Sequence, residues 1–263
     1  MYNFNYQKAN SQEEAISARQ SADDGSYLAG GMTLIPTLKQ RLAQPSDLID
    51  LSEIADMVGV TDNGDSITIG AMTTHATVAD SDIVRSKIPA LAELASNIGD
   101  PQVRNRGTIG GSISNNDPAA DYPSACIALN AIIHTNNRKI DAEIFFKGMF
   151  ETSLKKTEII ELVEFEIPQK SSYQKLANPA SRYAIVGVYI AKHKTGINVA
   201  VTGAKSCVYN DKDLANVLSK NFSPSAIENV KISSSKMNSD IHASSEYRAN
   251  MVKVFTKKAV EAC

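Results

Sequence analysis

Apolar residues recur along this chain at two spacings. Ala90, Leu91, Leu94, Ala95 and Ile98 fall three or four apart, which predicts a helix over 88–98. Ser11 followed by Glu14, with Ala15, Ile16 and Ala18 behind them, reads as a capped helix start in which hydroxyl and carboxylate each take a first-turn N–H. Further helices are expected over 33–41, where Pro36 is tolerated in the first turn, and over 77–85. Others are expected over 119–130, 211–218, 223–230 and 244–262. Short apolar runs at 27–29, 47–51, 131–135 and 159–167 predict strands. Residues 57–61 and 66–70 flank Asp62-Asn63-Gly64-Asp65, a strong hairpin turn. Residues 184–193 and 197–208 read as a second strand pair around Lys194-Thr195-Gly196. A small strand-then-helix region thus follows a larger mixed one. Pro168-Gln169-Lys170-Ser171-Ser172 is the best boundary between them.

Composition narrows the class. The chain has 263 residues, 43% hydrophobic and 21% charged, which supports an ordinary buried core in one large domain or two modest ones. The net charge of −2 and the absence of Trp argue against a nucleic-acid surface. Cys126, Cys207 and Cys263 are far apart and odd in number, so neither a disulfide framework nor a metal-ligand pattern is expected. The N-terminal segment lacks the basic and apolar parts of a signal peptide, and no apolar run has membrane-spanning length. A cytoplasmic location is the expectation.

Candidate chemistry lies in two glycine pairs. Ala29-Gly30-Gly31-Met32-Thr33-Leu34 follows a strand and leads into a helix. Thr108-Ile109-Gly110-Gly111-Ser112-Ile113-Ser114-Asn115 lies downstream. Glycine permits positive φ and removes the Cβ that blocks a close ligand, so successive N–H groups beside a hydroxyl can cradle an anion. Two such cradles suit a long phosphorylated ligand, a dinucleotide such as FAD. The Rossmann alternative lacks its G-x-G-x-x-G, and no Walker A lysine is present. Asp121 reads either as a first-turn helix acid or as a carboxylate that accepts from a polyol. His75 reads as a surface or satisfied histidine rather than a base. His134, His193 and His242 are scattered, so no metal site is expected.

Together, Gly30-Gly31-Met32-Thr33, Ile69-Gly70-Ala71-Met72-Thr73-Thr74-His75, Asn105-Arg106-Gly107-Thr108-Ile109-Gly110-Gly111-Ser112 and Asp117-Pro118-Ala119-Ala120-Asp121 resemble the FAD-binding medium subunit of molybdenum hydroxylases. That family includes carbon monoxide dehydrogenase medium chains and the xanthine dehydrogenase flavin subunit. Tyr183-Ala184-Ile185-Val186-Gly187-Val188 resembles the start of its small C-terminal domain. The resemblance implies an α+β fold: a vanillyl-alcohol-oxidase (PCMH) type FAD domain of two subdomains, and a C-terminal sheet-and-helix domain like that of the CO dehydrogenase flavoprotein. The FAD domain would span 1–168, with subdomains about 1–52 and 53–168, and the second domain 173–263.

The resemblance also implies roles. Ala29, Gly30, Gly31, Met32, Thr33 and Leu34 would wrap the pyrophosphate. Thr108, Gly110, Gly111, Ser112 and Asn115 would hold the diphosphate and flavin side, and Asp121 the ribityl hydroxyls. Leu162, Lys175 and Tyr183 would lie near the isoalloxazine. Met32-Thr33 stands where the family often has His-Ser, and Asn115-Asn116 where it often has a histidine before Asp-Pro. The implied function is electron transfer: FAD would take electrons from a small subunit with two [2Fe–2S] clusters and pass them to an external acceptor. A large molybdopterin subunit would oxidise the substrate. Such a heterotrimer would dimerise, and any membrane association would come through partners. A stand-alone flavin oxidoreductase and a flavin-free scaffold of the same fold are the alternatives.

Overall fold

The computed structural model describes residues 1–263. Strands β1 (Asn5–Lys8), β2 (Gly25–Leu28) and β3 (Asp47–Asp50) form a parallel sheet in the order β1-β3-β2. Helices α1 (Gln12–Ser21) and α2 (Leu34–Lys39) are its crossovers. The Ser11 hydroxyl caps α1 by accepting from Glu14 N. Glu14 reaches back one residue further than expected and accepts from Asn10 N at 2.8 Å.

A second sheet carries β4 (Val60–Asp62), β5 (Ser66–Gly70), β6 (Ile132–Thr135) and β7 (Lys139–Asp141). A small hairpin of β8 (Phe146–Gly148) and β9 (Glu151–Thr152) precedes its central strand, β10 (Ile160–Glu166). The order is β4-β5-β10-β6-β7, antiparallel throughout. Between β5 and β6 run α3 (His75–Asp80), α4 (Asp82–Lys87), α5 (Pro89–Ser96), α6 (Pro101–Arg104), α7 (Ile109–Asn115) and α8 (Tyr122–Ala128); α9 (Ala142–Phe145) follows β7. The single helix expected over 77–85 is two helices. Ser81 is extended (φ −65°, ψ 122°) and offers its hydroxyl to Val84 N, so a local side-chain cap wins over continuation.

The third sheet is an antiparallel meander of β11 (Lys170–Ala177), β12 (Ala184–Lys192), β13 (Ile197–Thr202) and β14 (Tyr209–Asn210). β11 begins inside the expected 168–172 boundary and runs on to Ala177, where the sequence reading places no strand. Its Lys-Ser-Ser-Tyr-Gln-Lys composition carries little strand signal, and pairing with β12 supplies what propensity does not. β13 stops at Thr202, because Gly203 turns the chain at φ +80°. Helices α10 (Lys212–Lys220) and α11 (Ser245–Ala262) follow, while 224–227 is only a 3₁₀ turn.

Both faces of this sheet are buried. Val186, Val188 and Ile190 of β12 pack with Leu214, Leu218, Val252 and Phe255 of α10 and α11. The alternate residues Tyr189 and Ala191 join the larger core with Tyr173, Leu91 and Ala125. Strand alternation thus splits one strand between two cores. Arg248 of α11, almost wholly buried, ties the layers together. It donates to the carbonyls of Ile185 and Gly203 at 2.5 and 3.0 Å and pairs with Asp240 at 2.6 Å. Replacing Arg248 by Met takes its donor from the Ile185 carbonyl, leaves the Gly203 carbonyl with Asn238 Nδ2 at 3.2 Å, and leaves Asp240 without its cation. The expected loss is about 3 kcal/mol of unfolding free energy in urea titration. A change within about 0.5 kcal/mol would show that the ties are incidental.

Candidate cofactor-binding site

A cavity of about 540 Å³ lies where the first two sheets meet the β11–β12 loop, within the range of small-molecule sites. One wall is the loop that leaves β2. None of the N–H groups of residues 29–34 donates a hydrogen bond within the protein. Gly31 is at φ +73°, the left-handed turn expected of a glycine pair. Gly30 has a different reason to lack a side chain. A Cβ there would overlap the Arg106 carbonyl, so the loop presses directly on the backbone before α7.

The second glycine pair is not a matching turn. Gly110 and Gly111 lie in the first turn of α7, and the backbone donors there are already used. Ile109 N donates to Thr73 O, Gly110 N to Ala71 O, and Gly111 N to the Thr108 hydroxyl. The expected second N–H cradle is therefore absent. What this segment offers is proximity and side chains. A Cβ on Gly110 would strike Ala71, and one on Gly111 would crowd the Thr108 hydroxyl at 2.9 Å and touch the Ala29 Cβ at 3.5 Å. The Ser112 hydroxyl and Asn115 amide line the cavity, and neither has a hydrogen-bond partner in the protein.

Asp121 lines the cavity and is 5% exposed. Its carboxylate does not cap α8. It accepts from the Tyr173 phenol and, at 2.9 and 3.1 Å, from Lys175 Nζ. Burial pushes its pKa up, and the Lys175 ammonium opposes that push. A carboxylate has about four acceptor directions, so this one retains room for about one more donor. Lys175 stands behind Asp121 and does not line the cavity, contrary to expectation; it also donates to the carbonyls of Asn97 and Arg182. Tyr183 does line the cavity and is 40% exposed, as is Met32.

Leu162 departs from expectation too. It pairs with Gly70 and His134 inside the second sheet, away from the cavity. Ile159 and Ile160 line the wall in its place, and the register of β10 shifts between Ile160 and Leu162. A bulge moves side chains between faces in a way that residue counting does not reveal.

Tyr173 and Arg19 escaped the sequence reading. Tyr173 follows directly on the expected 168–172 boundary, and Arg19 lies in α1 with no motif around it. His75 is neither at the surface nor satisfied, since its buried Nδ1 has no hydrogen-bond partner. It is 4% exposed, packs on the Tyr122 ring at 5.4 Å and lines the cavity. Burial, with Arg104 nearby, lowers its pKa to about 4.

Comparison with known proteins decides the family. Residues 2–170 match the model described as FAD binding domain in molybdopterin dehydrogenase. The chain belongs to that family. It is 35% identical to the glyceraldehyde dehydrogenase medium chain of Sulfolobus acidocaldarius, over 97% of this chain and 96% of the relative. It is 33% identical to the carbon monoxide dehydrogenase medium chain of Hydrogenophaga pseudoflava, over 98% and 96%. Reconstituted CO dehydrogenase from Oligotropha carboxidovorans superposes with a TM-score of 0.91 at 28% identity, covering 99% of this chain and 97% of that one. The expected α+β architecture and the recognised family are both confirmed. The chain is an FAD-binding subunit of the molybdenum hydroxylase family and an oxidoreductase component. No helix is long and apolar enough to cross a membrane.

The residues present fit FAD. Unpaired N–H groups in a row, in a loop that admits no Cβ at Gly30, suit a diphosphate; the unpartnered Ser112 and Asn115 side chains add donors. Gly30→Ala forces the loop off Arg106. FAD affinity measured by flavin fluorescence is expected to fall about tenfold to hundredfold. Unchanged affinity would sink the close-approach account. His75 yields a pH prediction. Its folded pKa lies below the ordinary histidine value, so the unfolded chain binds the proton first as pH falls. The stability is complete above about pH 6.5 and declines toward pH 4, by up to about 3 kcal/mol. Urea titrations across that window should show a shallower decline for His75→Gln; parallel curves would refute the assignment.

Proposed function

We propose that this chain is the electron-transfer flavoprotein subunit of a three-subunit molybdenum hydroxylase. It receives electrons from [2Fe–2S] clusters of a small partner and delivers them to an external acceptor, while a large molybdopterin subunit oxidises the substrate. The isoalloxazine of bound FAD supplies the redox chemistry, and the chain's residues bind and orient it. The observation that carries this reading is the row of unpaired N–H groups at residues 29–34, set against the Arg106–Thr108 backbone. The naming of the relatives as medium chains supports the partner assignment.

Within the proposal, Ala29, Gly30, Gly31, Met32, Thr33 and Leu34 hold the diphosphate through backbone donors. Thr108, Gly110 and Gly111 shape the facing wall, with Ser112 and Asn115 as side-chain donors. Asp121 accepts one ribityl hydroxyl and is held in place by Tyr173 and Lys175. Tyr183 and Met32 flank the isoalloxazine at the mouth. Residues 1–168 form the flavin-binding unit, and 173–263 close it from the β11–β12 side through Tyr183.

Affinity purification of the tagged chain from its native host, with metal and flavin quantification, tests the assembly. Co-elution of flavin, iron and molybdenum with one small and one large subunit is expected. A chain that elutes alone with flavin and turns over an organic reductant would overturn the proposal in favour of a self-sufficient flavoenzyme. A chain that elutes with partners but takes up no flavin would be a scaffold.

A further inference from the structure

We infer that Arg19 is a specificity determinant of this site: it grips the adenylate half of FAD and so selects the dinucleotide over FMN. The inference rests on the flavin reading above. β2 runs extended from Gly25 into the 29–34 loop. At about 3.3 Å per residue, the Gly25 end lies about 13 Å back along β2 from Ala29, whereas Tyr183 stands beside Thr33, which follows Ala29 in the chain. Gly25, Ser26 and Tyr27 line the cavity there, joined by Arg19, Lys155 and Lys156. A ligand whose diphosphate sits on the loop and whose flavin reaches Tyr183 extends its other half toward this end.

Arg19 is not engaged by the protein. Its Nη1 is shut off from solvent and has no hydrogen-bond partner. Glu158, the carboxylate on this stretch of wall, is already committed. It takes two hydrogen bonds from Arg138, at 2.7 and 3.0 Å, and one from Lys155 N at 2.7 Å. The arginine stem crosses Gly25 so closely that a Cβ at that position would stand 3.2 Å from Arg19 Cδ. The other donors of the guanidinium are not shut off from solvent and make no hydrogen bond within the protein, so they are the ones free to meet an acceptor in the cavity. The planar guanidinium matches purine chemistry: it stacks on the ring face and donates to ring nitrogens. FMN ends at its phosphate and leaves Arg19 unpaired.

Fluorescence titration of the full-length chain with FAD and with FMN tests this, comparing wild type, Arg19→Ala and Arg19→Gln. Thermal midpoints of the flavin-free proteins check that each variant is folded, and Arg19→Gln carries the test should the alanine variant not fold. The expected result is an FAD dissociation constant raised about tenfold, with FMN binding unchanged. Unchanged FAD binding would overturn the inference, as would equal weakening for the two flavins. A wild-type chain that binds neither flavin would instead overturn the flavin reading itself, and this inference with it.

Discussion

Backbone meets backbone around the cavity, and everything else depends on those contacts. Gly30 touches the Arg106 carbonyl, Gly110 touches Ala71, and Gly107 lies against the His75 ring. Each is a place where a single Cβ would hold two segments apart. Together they lock the β2 loop, the start of α3 and the start of α7 into one wall. The cost is that α7 spends its first N–H groups on neighbouring carbonyls. The β2 loop, which makes no such bonds, is left with its donors free. The division of labour between the two glycine pairs follows: one pair positions, the other keeps its donors free.

A second constraint joins the flavin-binding part to the C-terminal sheet. Tyr173 and Lys175 of β11 both converge on Asp121 at the start of α8. Buried charges persist only when paired and hydrogen-bonded, so this cluster fixes the register of β11 against the cavity. Lys175 also holds the Arg182 carbonyl, next to Tyr183. Arg248 holds the Ile185 carbonyl from the other side of the sheet. The β11–β12 loop is thus anchored at both ends, which gives Tyr183 a defined position although its ring is partly exposed. Because β12 sends alternate side chains into two cores, this loop cannot move independently of the cavity.

Much of the local structure was legible in the chain. The 3.6-residue spacing at 88–98, the Asn63-Gly64 hairpin and the serine cap of α1 are short-range signals, set by neighbours within a few residues. The positive φ of Gly31 was also legible, since strand, glycine pair and helix in that order demand a turn. Leu162 and Lys175 were not legible as they stand. A register shift in β10 and the pairing of β11 with β12 decide which way those side chains point, and neither is encoded by local spacing.

The sequence by itself determined the family, the glycine positions and the class of ligand, because these reside in ordered motifs of small residues and hydroxyls. Only the tertiary structure decided which glycines free their N–H groups and which merely make room. It also brought Tyr173 to Asp121 across 52 residues and left Arg19 without a partner at the cavity end. The physical reason is that hydrogen-bond satisfaction and burial are properties of whole neighbourhoods. A donor is free or engaged according to what the rest of the fold brings beside it.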